Sequence, residues 1–196
     1  MTLRRNTFLI ILFFASTIIF AQDYSAYVVS EKNPFGLPNP KAPSQIKDYA
    51  DLIGTCDCQS TSRNQDQTWA EPIAMTWTFK YIMNGMAVQD ETIKADGSHS
   101  GSIRQYNADS ARWHVHYYAT SGTPATLPSW EGGLKKEENK IVLYRDSPAP
   151  NGTPGNYRIT FSEMSKTGFN WIGEWVDKDE TISFPLWKIT CKKRNP

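Results

Sequence analysis

Apolar and polar residues alternate along most of the chain after residue 54, which is the pattern of β-strands with one buried face. Asn84-Gly85 and Asp96-Gly97 interrupt this pattern. Both dipeptides favour two-residue hairpins, in which both central residues need a positive φ. The segments between these and weaker turn sequences predict ten strands, at about residues 55–62, 72–83, 86–95, 98–107, 111–120, 128–137, 140–146, 156–163, 169–177 and 185–193.

Ten consecutive strands with short connections predict an all-β, up-and-down antiparallel barrel, because closing the sheet removes its exposed edges. A two-sheet sandwich is the alternative. Ahead of the barrel, residues 23–43 are rich in proline and predict an extended lead-in. A short helix is then expected over residues 45–52, capped by Ser44. Its apolar residues recur at helical spacing: Ile46, Tyr49, Ala50 and Ile53.

The tight turns also predict which side chains share a face. A two-residue turn at Asn84-Gly85 pairs Phe79 with Asp90, and one at Asp96-Gly97 pairs Asp90 with Ile103. A three-residue link around residue 109 then places Val115 beside Ile103. The face expected to point into the barrel consists of Trp77, Phe79, Tyr81, Met83, Met86, Val88, Ile103, Trp113, Val115 and Tyr117. The opposite face, expected to point towards water, collects Thr78, Lys80, Gln89, Glu91, Ser102, Arg104, His114 and His116.

The N-terminus has the features of a secretory signal peptide. Arg4 and Arg5 precede an apolar run that ends at Phe20, and the small Ala21 follows. The run is shorter than the roughly 20 residues that span a bilayer, although an uncleaved anchor is the alternative. We therefore expect residues 1–21 to be a signal peptide, 22–50 the lead-in and helix, and 51–196 the barrel, exported to the periplasm or the extracellular space. No transmembrane segment is expected in the mature chain.

The net charge of the chain argues against nucleic acid and anionic membranes as binding partners. The full chain has a formal net charge of +1. Residues 1–21 contain two arginines and no acidic residue, so the mature chain carries −1. A nearly neutral chain lacks the electrostatic footprint that binds nucleic acid or an anionic membrane. The oligomeric state stays open.

Two features resemble the lipocalin arrangement. Gly54-Thr55-Cys56 opens the first strand after a short helix, where lipocalins have Gly-x-Trp, and Arg194 follows the last strand as a basic residue. From about Asp51 to Arg194 the chain resembles uncharacterised, secreted, lipocalin-like (calycin-type) proteins of bacteria. The segments that carry this resemblance are WTFKYIMNGMAVQDE, SIRQYN, WHVHYY and GFNWIGEW. It implies a barrel of eight or ten strands that holds small apolar molecules.

Asp90 is the charged residue on the face expected to be apolar. A buried carboxylate must be paired, hydrogen-bonded or protonated. It therefore binds a polar group of a ligand, or it is a structural acid bonded to Tyr81, Thr92 or Gln105. A mostly apolar pocket with few polar groups is typical of ligand sites. The candidate ligand-binding residues are Trp77, Phe79, Tyr81, Asp90, Gln105, Trp113, Tyr117, Trp171 and Trp175.

No metal or cofactor is expected. His114 and His116 share one strand face, as in the beginning of some zinc sites, but that face points to water beside Arg104. Nitrobindin-type barrels hold haem through a histidine near the C-terminus, and no histidine follows His116. The sequence also has no nucleophile elbow and no phosphate-binding loop.

The chemistry of the sequence favours a carrier or sequestering protein for a small apolar or amphipathic ligand over an enzyme. The alternatives are an isomerase or hydrolase that uses Asp90, Arg158 or Glu174, and an envelope protein with a filled barrel and only protein partners.

The three cysteines predict one disulfide and one free thiol in an oxidising compartment. Since the first and last strands of a barrel pair, Cys56–Cys191 is the first choice and Cys58–Cys191 the second. Three buried thiols are the alternative to both.

Overall fold

In the computed structural model, residues 25–122 and 124–194 are described, and they form a closed antiparallel barrel of ten strands. The predicted signal peptide lies outside these residues. A 3₁₀ helix (Ser44–Leu52) precedes the first strand. The strands are β1 (Gly54–Ser62), β2 (Ile73–Ile82), β3 (Ala87–Lys94), β4 (His99–Asn107), β5 (Arg112–Ala119), β6 (Ser129–Lys135), β7 (Lys140–Asp146), β8 (Gly155–Ser165), β9 (Gly168–Asp177) and β10 (Ser183–Lys193). A second 3₁₀ turn (Lys136–Glu138) joins β6 to β7.

All ten predicted strands and the meander order are confirmed. Each strand pairs with its neighbour in sequence, and β1 pairs with β10 to close the barrel. Because consecutive strands alternate in direction, their connections fall at two ends. The end where β1 begins carries the turns at 83–86, 108–111, 136–139 and 166–167, and we call it the closed end. The other end carries the short β3–β4 turn at 95–98 and the longer connections at 63–72, 120–128, 147–154 and 178–182, and we call it the mouth.

The 3₁₀ helix covers the closed end. Its buried residues are Ile46, Tyr49 and Leu52, three residues apart, which is the repeat of a 3₁₀ helix. Tyr49 packs edge-on against Trp113 with the ring centroids 4.8 Å apart. The capping prediction was wrong. Pro43 occupies the N-cap position, no side chain caps the helix, and Ser44 lies within it. Among the described residues, no helix is long and apolar enough to cross a membrane.

The lead-in also lies at the closed end, across the β2–β3 turn. The amide of Tyr81 donates to the carbonyl of Phe35 at 2.8 Å, and the amide of Asn39 donates to the carbonyl of Gly85 at 3.0 Å. Gly85 has a φ of +78°, and a Cβ there would lie 2.3 Å from the carbonyl oxygen of Leu37. The turn therefore needs glycine both for its conformation and for the close approach of the lead-in.

The two hairpins that fixed the predicted register differ in their turns. At β2–β3 the loop has the four residues 83–86 instead of two, and Met83, Asn84 and Gly85 all have positive φ. Phe79 nevertheless pairs with Asp90 as predicted. At β3–β4 only Gly97 has positive φ, and the amide of Lys94 donates to the carbonyl of Ser98. Three residues, 95–97, therefore form this loop. Its left-handed third residue is typical of a three-residue hairpin rather than a two-residue one.

The extra loop residue reverses the faces of β4. Asp90 pairs with Ser102 instead of Ile103. Ser102 and Arg104 therefore point into the barrel, and Ile103 and Gln105 point outward, contrary to the prediction. The β4–β5 connection has four residues instead of three, so β5 returns to the predicted orientation with Trp113, Val115 and Tyr117 inward. Met83 and Met86 were also predicted inward, but both lie exposed in the β2–β3 turn.

The seam between β1 and β10 corrects the disulfide prediction. Cys58 lies opposite Cys191 and is bonded to it, whereas Cys56 lies opposite Lys193 as a buried free cysteine. The first choice, Cys56–Cys191, was wrong by a register shift of two residues, and the second choice is confirmed. Burial raises the pKa of the Cys56 thiol to about 11, so this thiol stays protonated at neutral pH.

Candidate ligand-binding cavity

The barrel interior contains a cavity of about 250 Å³ between the mouth and the mid-level of the strands. Aromatic and aliphatic side chains make up most of its wall. The deeper lining residues are buried, whereas Tyr117, Arg145, Tyr157 and Trp187 near the mouth are only half-buried. The full lining consists of Met75, Trp77, Asp90, Thr92, Ser100, Ser102, Arg104, Val115, Tyr117, Trp130, Arg145, Tyr157, Ile159, Trp171, Trp187 and Ile189.

An ion pair between Asp90 and Arg104 forms the polar part of the floor. Both residues are 2% exposed, and the guanidinium Nη1 donates to Asp90 Oδ1. Trp77 Nε1 donates to Asp90 Oδ2 at 2.7 Å. The partners of Asp90 are therefore Trp77 and Arg104, and not Tyr81, Thr92 or Gln105 as the sequence suggested. Both carboxylate oxygens are engaged by the protein itself.

Three aromatic rings surround the Arg104 guanidinium below the cavity. Its Cζ atom lies 5.1 Å from the ring centroid of Phe79, 5.3 Å from that of Tyr49 and 5.8 Å from that of Phe161. Burial alone would lower the pKa of Arg104, but the Asp90 carboxylate and Tyr49 together outweigh it and the pKa is raised. The arginine thus remains charged, and the ion pair and the cation–π contacts hold it against the helix at the closed end.

Below this level the interior is filled by aromatic side chains. Phe79, Phe161 and Phe169 pack against one another with ring centroids about 6 Å apart, and Trp77 lies above them against Phe79 at 5.3 Å. Phe79 and Phe161 have no exposed surface. The cavity therefore ends at this cluster and does not continue through the barrel.

The wall formed by β3 and β4 is lined by small polar side chains. The hydroxyls of Thr92 and Ser100 lie 2.6 Å apart in a hydrogen bond. Across the lumen, Trp171 and Trp187 from β9 and β10 pack edge-to-face at 5.2 Å, and Trp187 Nε1 donates to Ser60 Oγ at 2.8 Å. A ligand in the cavity would therefore contact a hydroxyl-bearing wall on one side and an indole wall on the other.

A cation lies at the mouth of the cavity. Arg145 shares the inward face of β7 with Leu143, and it pairs with Tyr157 of β8. Its Cζ atom lies 4.4 Å from the Trp130 ring centroid and 5.7 Å from that of Tyr157. Burial raises the pKa of Tyr157 to about 12, although the charge of Arg145 opposes this, so the phenol keeps its proton. Arg145 was not predicted from the sequence as a site residue. Because Ile141, Leu143 and Arg145 are alternate residues of β7, this spacing would have placed Arg145 on the inward face.

The structure separates the residues that the sequence proposed as one ligand site. Trp77, Asp90, Tyr117 and Trp171 line the cavity. Phe79, Tyr81 and Trp113 lie buried nearer the closed end, outside the cavity lining. Gln105 lies exposed on the outer face. Trp175 lies towards the mouth, where its Nε1 donates to the carbonyl of Ser147 at 2.8 Å.

Arg158 and Glu174 lie on the outer face, away from Asp90. Arg158 donates to Glu174 Oε1 at 3.0 Å and also contacts Glu180. Ser183 donates to the other Glu174 oxygen at 2.5 Å. These side chains connect β8 and β9 to the start of β10 and to the loop before it. The three residues considered for a lumen enzyme therefore do not meet at one site.

The histidines of β5 lie on the outer face as predicted, but Arg104 is not beside them. His116 Nδ1 hydrogen-bonds Ser129 Oγ at 2.7 Å, and His114 Nδ1 lies 3.6 Å from Glu131. Within residues 25–122 and 124–194, no three His, Cys, Asp or Glu side chains are arranged to hold a metal ion.

Comparison with known protein families and with curated proteins finds no match. Among solved structures, the chain is similar to a protein of unknown function from the DUF3598 family of Nostoc punctiforme, with 11% sequence identity and a TM-score of 0.47. The similarity covers 79% of this chain and 51% of the Nostoc chain, so this protein spans about half the length of that neighbour.

Proposed function

We propose that this protein binds or sequesters a small apolar or amphipathic molecule in the barrel lumen. The observation that carries the proposal is the cavity, whose wall is mostly aromatic and aliphatic and which is reached from the mouth. Its volume of about 250 Å³ lies just below the range of drug-sized ligand sites, about 300–1,000 Å³, so the ligand is small. The resemblance to secreted lipocalin-like proteins agrees with this proposal.

The polar groups of the lumen favour binding over catalysis. An enzyme needs two or more converging polar groups free to act on a substrate. In the cavity, Asp90 and Arg104 neutralise each other, and Thr92 is hydrogen-bonded to Ser100. The groups left to meet a ligand are hydroxyls and the guanidinium at the mouth. Such groups orient a ligand, and they include no paired acid and base.

The binding proposal is tested by filling the cavity. Val115 is 1% exposed and lines the cavity, so Val115→Trp should occupy much of the space. Titration with the neutral fluorescent probe N-phenyl-1-naphthylamine should show binding to the wild type and a loss of at least about tenfold in affinity for the variant. Ile103→Trp, on the outer face of the adjacent strand, is the matched control and should bind as the wild type does. Equal binding by both variants would place the probe outside the lumen.

We also propose that the chain is exported and cleaved near Ala21. The disulfide is compatible with an oxidising compartment, where such bonds persist. N-terminal sequencing of envelope or secreted material should begin at or near Gln22. Soluble cytoplasmic protein that begins at Met1 would contradict this proposal. Native mass spectrometry of the exported protein from its own host would then detect a co-purifying ligand.

A further inference from the structure

An unpaired guanidinium at the mouth indicates the chemistry of the ligand. We infer that the cavity takes a molecule with an apolar body and an oxyanion head group, and that Arg145 binds this head group at the mouth. The inference rests on the proposed function, because it requires that a ligand enter the lumen. It specifies the ligand class and the direction in which the ligand is held.

The first argument is the contrast between the two arginines of the lumen. Arg104 on the floor is paired with Asp90, so its charge is already neutralised. Arg145 makes no ion pair and no side-chain hydrogen bond with any residue in the described ranges. Asp90 is the carboxylate of the cavity lining, and it is occupied on the floor. Within the described residues, the cation that lines the cavity without an ion pair is therefore Arg145. Lys94 Nζ also lies at the mouth, 4.7 Å from the Trp187 ring centroid, but outside the cavity lining.

The second argument is that Arg145 is held in place for this role. Its guanidinium carbon lies 4.4 Å from the centroid of the Trp130 ring, a cation–π contact that holds the group without using its N–H donors. A planar guanidinium matches the two oxygens of a carboxylate or phosphate better than an ammonium group does. Tyr157 lies within reach of the same cation. Its ring borders the guanidinium, while its phenol oxygen lies against Gly173 of β9.

The third argument is the gradient of polarity along the cavity. Below Arg145 the wall includes Ile159, Trp171 and Ile189. The floor carries the Asp90–Arg104 ion pair, in which the two charges neutralise each other. A charged head group would lose its hydration in that part without gaining an unpaired cation. The apolar body therefore lies inward and the head group lies at the mouth.

The test uses octanoate and 1-octanol, which have the same apolar chain and different head groups. Each competes with N-phenyl-1-naphthylamine for the full mature chain. We expect the wild type to bind octanoate about tenfold more tightly than octanol, the scale of one charge-assisted hydrogen-bonded contact. Arg145→Met keeps the length and apolar stem of the side chain and should abolish this preference. Arg145→Lys should retain part of it.

Lys188→Met is the matched control. Lys188 Nζ also lies over a tryptophan, 4.3 Å from the Trp69 ring centroid, but on the outer face of the barrel. This variant should keep the preference for octanoate, and the melting temperatures of all variants should confirm that they fold. Octyl phosphate in the same assay distinguishes the two head groups. If it binds with higher affinity than octanoate, the site prefers a phosphate, and if octanoate binds with higher affinity, the site prefers a carboxylate.

Two results would overturn the inference in different ways. If the neutral probe binds but octanoate and octanol compete equally, or if Arg145→Met leaves the preference intact, Arg145 is not a head-group site and the proposed function stands. If the wild-type lumen binds neither the neutral probe nor either octyl compound, the proposed function fails together with the inference.

Discussion

The inward-facing positions of the barrel carry different side chains at its two ends. On β4, Tyr106 and Arg104 point inward at the closed end, whereas Ser102 and Ser100 occupy the equivalent positions towards the mouth. The closed half also receives Tyr49 from the helix, and its aromatic rings pack against one another. The mouth half retains a cavity of about 250 Å³. Side-chain volume, and not the path of the backbone, therefore determines where the barrel is hollow.

The two halves differ in charge as well. The closed half holds its cation between Asp90 and three rings, where it contributes to stability. The mouth half holds Arg145 over a single indole with its donors available. The comparison suggests a division of roles, with folding energy concentrated near the helix and recognition near the mouth. The following substitutions test this division.

The largest effect is expected from the disulfide across the seam, where Cys58 pairs with Met75 of β2 and Cys191 with Phe169 of β9. Cys58 and Cys191 are 133 residues apart in sequence. In the chain-entropy model a loop of this length stabilises the folded state by about 5 kcal/mol. The Cys58→Ala/Cys191→Ala double variant should lose free energy of unfolding on this scale in urea titrations. Cys56→Ala keeps the disulfide and should lose far less free energy of unfolding.

Non-reducing peptide mapping should recover Cys58 joined to Cys191, and a Cys56–Cys58 peptide would contradict the seam register.

The next effect is expected from the aromatic cluster of the closed half. Phe79 is fully buried, so Phe79→Ala should cost roughly 3–5 kcal/mol in unfolding free energy. Ile189→Ala in the cavity wall should cost about 2 kcal/mol, the low end for such truncations, because one side of Ile189 already faces empty space. Lys80→Ala on the outer face should cost under about 0.5 kcal/mol. Similar losses for Phe79→Ala and Ile189→Ala would remove the contrast between the two halves.

The buried ion pair gives the third prediction. Arg104→Met leaves the Asp90 carboxylate buried without its cation, which should cost about 3 kcal/mol. Adding Asp90→Asn removes that charge and keeps an acceptor for the Trp77 indole, so the double variant should recover most of the loss. Asp90→Asn alone should also destabilise, since it leaves the Arg104 guanidinium unpaired. Urea unfolding of the three variants tests the coupling between them. Unchanged stability with altered ligand binding in Asp90→Asn would instead assign Asp90 to the ligand.

The sequence predicted the barrel well because the alternation and the turns are local. Each of the ten strands was placed within two residues of its observed ends. The orientation of β4 was wrong because Asp96-Gly97 fits two hairpin types, and the choice between them depends on the φ of Asp96. Because of this one-residue difference in loop length, Arg104 was left out of the predicted site and Gln105 was included in it. An error of one position in a strand moves every side chain to the other face.

The remaining errors concern contacts between distant segments. The β1–β10 register joins residues more than 120 positions apart, and no turn fixes it. The alternation of faces along β1 showed that Cys56 and Cys58 both lie on the face of Cys191. It does not distinguish two positions that lie two residues apart on the same face. Arg145 was missed for a different reason, because the tight turns fix the faces of β2 to β5 and β7 lies beyond them. The cavity itself depends on how side chains from all ten strands fill the lumen, which no local pattern contains.

The smallest effect is expected where the helix meets the closed end. Asp48 accepts a hydrogen bond from Trp113 Nε1 at 3.0 Å, and burial raises the pKa of its carboxyl group, although this hydrogen bond opposes the rise. A raised pKa means that the folded state binds the proton more tightly than the unfolded state does. The ionised carboxylate therefore reduces stability above the folded-state pKa, and this penalty disappears as the pH falls below the unfolded value of about 3.8.

Asp48→Asn keeps an acceptor for Trp113 and removes the charge. Because Asp48 is only half-buried, solvent screening limits the gain to about 0.3 kcal/mol at pH 7. The difference from the wild type should shrink towards zero as the pH falls through the folded-state pKa to below 3.8, the ordinary value for this carboxyl group. Urea unfolding at several pH values measures this difference. Asp51→Asn removes the same charge from an exposed position in the same helix and corrects for the change in net charge. A gain that persists in acid would mean that the amide stabilises the helix by another contact, since ionisation of Asp48 would then play no part.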